Sequence, residues 1–143
     1  MARIAAIDLG SNSTRLLICD VEQERITREV CSRSIVTRMG EGVDSGGVIG
    51  DAAIARVTNV LTAYRALLDR SQIDAGIALL TSAARDAANG PELAERVAAI
   101  TGVEARLIDG EQEARLVYRG ATTGRAPEAT TVLDIGGGST ELA

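Results

Sequence analysis

Histidine, lysine, tryptophan and phenylalanine are all missing from the sequence, and each absence closes off a chemistry. Without histidine the chain holds no Ser-His-Asp or Cys-His arrangement and no imidazole-ligated metal. Without lysine it has no P-loop lysine for a phosphate and no Schiff base; all 15 basic residues are arginine. Cys19 and Cys31 are too few for a zinc site and read as reduced thiols in or near the core. Two tyrosines make no stacking platform for single strands, and a net charge of −5 lacks the basic face of a nucleic-acid binder. No apolar run reaches the ~20 residues of a membrane span and no charged-then-apolar leader opens the chain, so the expected location is cytoplasmic. Chemistry is left to carboxylates, hydroxyls, arginines, backbone amides and a hard cation held by oxygens.

What is present has an ordinary globular composition: 143 residues, 45% apolar and 24% charged. That is about one domain's worth of material, enough to bury a core. Ile4 to Asp8 is an apolar run ending in the turn Gly10-Ser11-Asn12-Ser13; Arg15 to Asp20 and Ile26 to Thr37 read as two further strands. Links this short force the three into an antiparallel meander. Arg38 to Gly50, with its repeated glycines, reads as a loop. Asp51 is placed to cap a helix to about Arg70, whose apolar positions Ile54, Val57, Leu61, Tyr64 and Leu68 recur at helical spacing. Gly76 to Ser82 is a strand, and Asn89-Gly90-Pro91 opens a helix that Gly102 ends. Val103 to Asp109 is a strand, Gly110 to about Thr122 a helix, Gly124 to Thr130 a linker and Thr131 to Ile135 a last strand. The order βββαβαβα predicts an α/β unit over residues 1–122: a five-stranded mixed sheet, its later strands parallel to the first, with three helices against its faces. Ile7, Leu17, Val57, Leu61, Leu79, Leu107 and Val117 are its expected core.

Asp8-Leu9-Gly10-Ser11-Asn12-Ser13-Thr14 lines up with Asp134-Ile135-Gly136-Gly137-Gly138-Ser139-Thr140, each copy after an apolar strand. Two such copies predict a duplicated domain, with residues 123–143 the linker and truncated start of a second unit. Glycines let the backbone approach a ligand and aim its amides inward, so each turn can cradle phosphate oxygens. Ser11, Ser13 and Ser139 add hydroxyls. Asp8 and Asp134, at the strand ends, would repel those phosphates unless Mg²⁺ or its waters stood between. A single Asp-x-Gly turn is equally a plain tight hairpin; the pairing, and the triple glycine in the second copy, favour phosphate.

These two turns, the second running on to Glu141, enclose Thr81-Ser82-Ala83-Ala84-Arg85 and Gly110-Glu111-Gln112-Glu113-Ala114-Arg115. In content and order the four motifs resemble those of the exopolyphosphatase/guanosine pentaphosphate phosphohydrolase (Ppx/GppA) family, across the whole chain. The resemblance implies an RNase H-like lobe of the actin-like ATPase superfamily, one of two around a phosphate-binding cleft. It implies Mg²⁺-dependent hydrolysis of terminal phosphate from polyphosphate or guanosine pentaphosphate. Glu113 matches the family's general base for the attacking water. Gly10, Ser11, Asn12, Ser13, Arg85, Gly136, Gly137, Gly138 and Ser139 match substrate-phosphate positions, and Asp8, Asp134 and Glu141 the magnesium side. Gln112 stands where the family more often has glutamate. Arg38 is read as steering an anionic chain and Arg115 as structural. The expected partners are polyphosphate or guanosine pentaphosphate and, for the longer protein, a second copy, with no nucleic acid and no membrane. Small-molecule kinases and non-enzymatic actin-like nucleotide-binding proteins share the Asp-x-Gly turns, whereas the Glu113 motif favours hydrolysis. A chain ending at Ala143 is expected to fold with its second turn disordered or docked in a non-native way, and to hydrolyse negligibly by itself.

Overall fold

The computed structural model describes residues 1–124 and 129–143. Its main sheet is built from β1 (Ala2–Leu9), β2 (Ser13–Glu22), β3 (Arg25–Val36), β4 (Ala75–Leu80) and β5 (Glu104–Leu107), in the order β3-β2-β1-β4-β5. Short links make β1, β2 and β3 antiparallel, while helical crossovers bring β4 parallel to β1 and β5 parallel to β4. The helices are α1 (Val43–Gly46), α2 (Asp51–Ser71), α3 (Ser82–Asp86), α4 (Gly90–Thr101) and α5 (Gly110–Thr122). A separate antiparallel hairpin, β6 (Leu133–Ile135) with β7 (Thr140–Leu142), closes the chain. The linker expected over residues 124–130 falls largely on residues outside those described.

Side chains alternate across a strand, so burial here is one-sided. Ile7 and Leu9 of β1, Leu16 and Ile18 of β2 and Leu80 of β4 form one buried cluster with Val57, Leu61 and Tyr64 of α2 and Leu93 and Val97 of α4. The Tyr64 hydroxyl, buried with its ring, donates to the Thr14 carbonyl at 2.9 Å. Of the expected core, Ile7, Val57 and Leu61 are buried. Leu17 and Leu79 are only half-buried, because they alternate with Leu16 and Leu80 and so turn to the other face. Leu107 packs half-buried at the cluster's edge. Val117 is also half-buried, on a helix with no fully buried residue. The α2 and α4 helices cover this face, joined by Ala83 and Ala84 of α3.

The segment from Arg38 to Gly50 is no plain loop. Met39, Val43 and Ile49 are buried in the core, and α1 is flanked by Gly42 (φ 80°) and Gly47 (φ 67°). Both positions lie in the left-handed region that favours glycine. Asp51 heads α2 rather than capping it; the cap position is Gly50, with no side-chain bond. Asn89, before α4, instead ties Ile49 down, accepting from its N–H and donating to its carbonyl, both at 2.9 Å.

Candidate active site

The two Asp-x-Gly turns have the same backbone. Gly10 N–H donates to the Ser13 carbonyl at 3.0 Å, and Gly136 N–H to the Ser139 carbonyl at 2.9 Å. In each turn a Cβ on the first glycine would stand 3.2 Å from that same carbonyl oxygen, tighter than an alanine fits comfortably. The strands that carry the turns are paired alike: Leu9 opposite Thr14 and Asp8 opposite Arg15, Ile135 opposite Thr140 and Asp134 opposite Glu141. The sequence repeat is thus a repeat of structure.

The turns are wedged together, which is why the second is glycine-rich. A Cβ on Gly137 would lie 2.9 Å from that of Asn12, and one on Gly138 would lie 2.5 Å from Ser11 Oγ and 2.8 Å from Ser82 Oγ. Ser11 and Ser82 share a buried hydrogen bond of 2.8 Å. From behind, the N–H groups of Thr37 and Arg38 donate to the Asn12 carbonyl at 3.0 and 2.9 Å, and that of Gly40 to the Ser11 carbonyl at 2.8 Å. With its carbonyls tied backward, the first turn leaves its other polar groups toward the front. The second turn is thus seated against the first.

In front lies a cavity of about 320 Å³ at the C-terminal ends of the parallel strands β1 and β4. Asp8, Gly10, Ser11, Asn12, Ser13, Glu113, Asp134, Gly136, Gly137 and Ser139 all line it, so most of the residues singled out from the sequence meet at one place. Three do not line it. Gly138 is the wedge behind, Glu141 is buried beneath, and Arg85 is bound to Glu113. Thr81 and Ser82, which belong to one of the four motifs but take no role from it, line the cavity too, as does Arg15, which no motif contains. Arg15 was legible in principle, since a four-residue turn between antiparallel strands puts it opposite Asp8. A cleft of about 410 Å³ between α2 and α4, among Ile54, Thr58, Leu93 and Arg96, contains none of the motifs. Arg115 makes an exposed ion pair with Glu111 at 2.6 Å, and Arg38 holds a left-handed φ of 48° beside the first turn.

The site concentrates negative charge. Burial pushes the Asp8 carboxyl above the usual carboxylate range, against the pull of Arg15 and with the push of Asp134. Burial likewise raises Glu113; the Arg85 hydrogen bond opposes this, and Glu141 and Asp8 add to it. Glu141 is only 8% exposed, and its Oε2 has no hydrogen-bond partner among the described residues. An ionised oxygen buried without a partner is costly, and two carboxylates opposite one another on paired strands repel. Both costs fall if a cation is bound nearby. Among the described residues no three acidic or thiol groups gather closely enough to cage an ion by themselves. That donor set suits Mg²⁺, which takes one or two carboxylates and completes its shell with water and phosphate oxygens.

Comparison with known proteins places these features in a family. The model of the Ppx/GppA phosphatase family matches residues 17–143. Exopolyphosphatase 2 of Mycobacterium tuberculosis is 40% identical over 152 residues, covering 99% of this chain and 48% of its own length. The chain thus spans about half the length of that relative. The crystal structure of the Aquifex aeolicus Ppx/GppA family member superposes with a TM-score of 0.85 at 34% identity, over 99% of this chain and 46% of that one. An exopolyphosphatase from Cytophaga hutchinsonii gives 0.89 at 32%, over 98% and 45%. The five-stranded mixed sheet is the RNase H-like, actin-like ATPase architecture of these neighbours. Among the described residues no helix is long and apolar enough to cross a membrane.

Proposed function

The chain belongs to the Ppx/GppA phosphatase family, and from that premise we propose that the protein hydrolyses the terminal phosphoanhydride bond of inorganic polyphosphate or of guanosine pentaphosphate. One observation carries the reading: Glu113 and Asp8 line the same cavity as two structurally equivalent glycine turns. A substrate phosphate seated there would meet backbone N–H groups and the hydroxyls of Ser11, Ser13, Ser82 and Ser139, with Arg15 also in the lining. Asp8 and Asp134 line the cavity, and one or two carboxylates from these two and the neighbouring Glu141 would hold Mg²⁺, with water and phosphate oxygens completing its shell; when bound it would neutralise phosphate charge.

Glu113 accepts a proton from water as the water oxygen bonds to the terminal phosphorus. The bridging P–O bond breaks, and its oxygen leaves on the shortened chain. Release of inorganic phosphate follows. Burial raises the Glu113 carboxyl above its ordinary value, making it a stronger acceptor than an exposed glutamate. The Arg85 bond keeps it from rising without limit. Phosphoryl transfer depends mostly on positioning and charge, and we place residues 123–143 at the start of a second lobe that completes the positioning.

The test is phosphate release from polyphosphate, without any acceptor, by the protein expressed from its full reading frame with Mg²⁺. Wild type is expected to release phosphate. Glu113→Gln keeps the shape and removes the proton acceptor, so kcat should fall by about 10²–10⁴ with KM little changed. A Glu113→Gln enzyme with near-normal kcat removes Glu113 from the role of base.

A further inference from the structure

Arg85 matches a substrate-phosphate position by motif, yet it does not line the cavity. Its guanidinium is engaged with the protein. Nη1 donates to Glu113 Oε2 at 3.2 Å and to the Ile108 carbonyl at 3.0 Å, while Nε lies 3.7 Å from the Asp86 carboxylate. Two of these contacts have rigid footings. Arg85 follows the buried residues Ser82, Ala83 and Ala84 of α3, and Ile108 is buried just past β5.

The Glu113 side chain is itself largely buried, at 14% exposed, but the helix that carries it is not anchored in the core. Glu113 sits in the first turn of α5, a helix with no fully buried residue. Among the described residues the Arg85 bond is the one hydrogen bond its carboxylate receives. A general base must stay within hydrogen-bond reach of the proton it takes, and a displacement of about 1 Å can cost about 10²-fold in rate. A side chain tethered at one oxygen leaves the other free to face the cavity.

We infer that Arg85 is a positioning residue: it clamps Glu113 Oε2 against the end of β5, leaves Oε1 free to take the proton from water, and does not bind substrate phosphate. The inference rests on the hydrolytic reading above and assigns Arg85 a role through Glu113. It also separates Arg85 from Arg15, which does line the cavity.

The experiment is a double-mutant cycle in the protein from its full reading frame. Arg85→Met and Arg85→Lys are made alone and combined with Glu113→Gln, and kcat, KM for polyphosphate and the thermal midpoint are measured for each. Arg85→Met should lower kcat by about 10- to 100-fold with KM within about twofold. Arg85→Lys, whose ammonium can still donate to both acceptors, should recover most of that loss. In the Glu113→Gln background Arg85→Met should cost nothing further in kcat, because residues that act as a unit are not additive. A raised KM with kcat kept, in either background, overturns the inference and gives Arg85 to the substrate. Losses that multiply overturn it too. If Arg85→Met does not fold, Arg85→Lys carries the same test, since a raised KM in that variant is equally contradictory. A wild type that releases no phosphate sinks the functional reading alone. The clamp is then judged by the thermal midpoints, where coupled shifts uphold it and additive shifts overturn it.

Discussion

Arg15 and Glu141 hold the same register position in two hairpins of one build: Arg15 stands opposite Asp8, and Glu141 opposite Asp134. The same backbone thus carries opposite charges at its two copies. On the function proposed above, a phosphate beside the first hairpin would meet Arg15 and the carboxylate pair of the second would take a cation, making the two hairpins unlike halves of one site.

From the first half it follows that Arg15→Gln should raise KM while leaving kcat nearly untouched. A charge-assisted hydrogen bond contributes about 1.5–3 kcal/mol, so the rise should be on the order of 10- to 100-fold. Steady-state kinetics on polyphosphate read it directly. A change confined to kcat would remove Arg15 from substrate binding.

The second half makes a prediction that needs no turnover. Glu141→Gln replaces a buried carboxyl whose Oε2 has no partner among the described residues, so the variant should melt higher than wild type in metal-free buffer. Adding Mg²⁺ should then raise the wild-type midpoint, since a ligand of the folded state stabilises it, and should raise that of the variant much less. Equal shifts in the two proteins would place the ion elsewhere.

The raised Glu113 carboxyl has a signature in pH. Its ordinary value is 4.5 and its folded value lies higher. Between the two, the folded protein holds a proton that the unfolded chain has lost, so stability declines as pH rises through that window. Glu113→Gln is neutral throughout. It should be more stable than wild type at neutral pH without metal, and the gap should close on acidification below about pH 4, where both forms of the carboxyl are protonated. Thermal unfolding from acid to neutral pH measures this. A gap independent of pH would deny the raised value.

Glycine substitutions test the wedging of the two turns. Gly138→Ala puts a methyl group 2.5 Å from Ser11 Oγ and 2.8 Å from Ser82 Oγ, so it breaks up the hydrogen-bonded hydroxyl pair that lines the cavity or shifts the hairpin. We expect at least a tenfold loss of kcat/KM, in the range that misplacing binding groups costs (about 10²-fold). Gly110→Ala, with open space at its Cβ at the head of α5, should keep activity and gain up to about 1 kcal/mol of stability. Activity assays with thermal melts separate the two, and equal behaviour would contradict the close seating.

The strands, the two long crossover helices and the last helix were legible because their periodicity and their glycine and proline boundaries are local signals. The Asp-x-Gly repeat was legible for the same reason, and it led directly to most of the cavity. Three things were not. Leu17 and Leu79 read as core because an unbroken apolar run hides which face each residue takes; only the covering helices decide it. The stretch from Arg38 to Gly50 read as a loop because its glycines dominate, although Met39, Val43 and Ile49 anchor it in the core. The bond between Arg85 and Glu113 was not legible either, because guanidinium chemistry suits a phosphate as readily as a carboxylate and sequence spacing says nothing of which acceptor lies 3.2 Å away.

The most direct measurement is where the oxygen of water goes. Polyphosphate is turned over once in ¹⁸O-labelled water by the protein from its full reading frame with Mg²⁺, and the products are read by mass spectrometry. Attack by a Glu113-activated water on the terminal phosphorus predicts one labelled oxygen in each released phosphate and none in the shortened chain. Label in the shortened chain would place the attack at the inner phosphorus, and released phosphate without label would mean that water is not the nucleophile; either result contradicts the account.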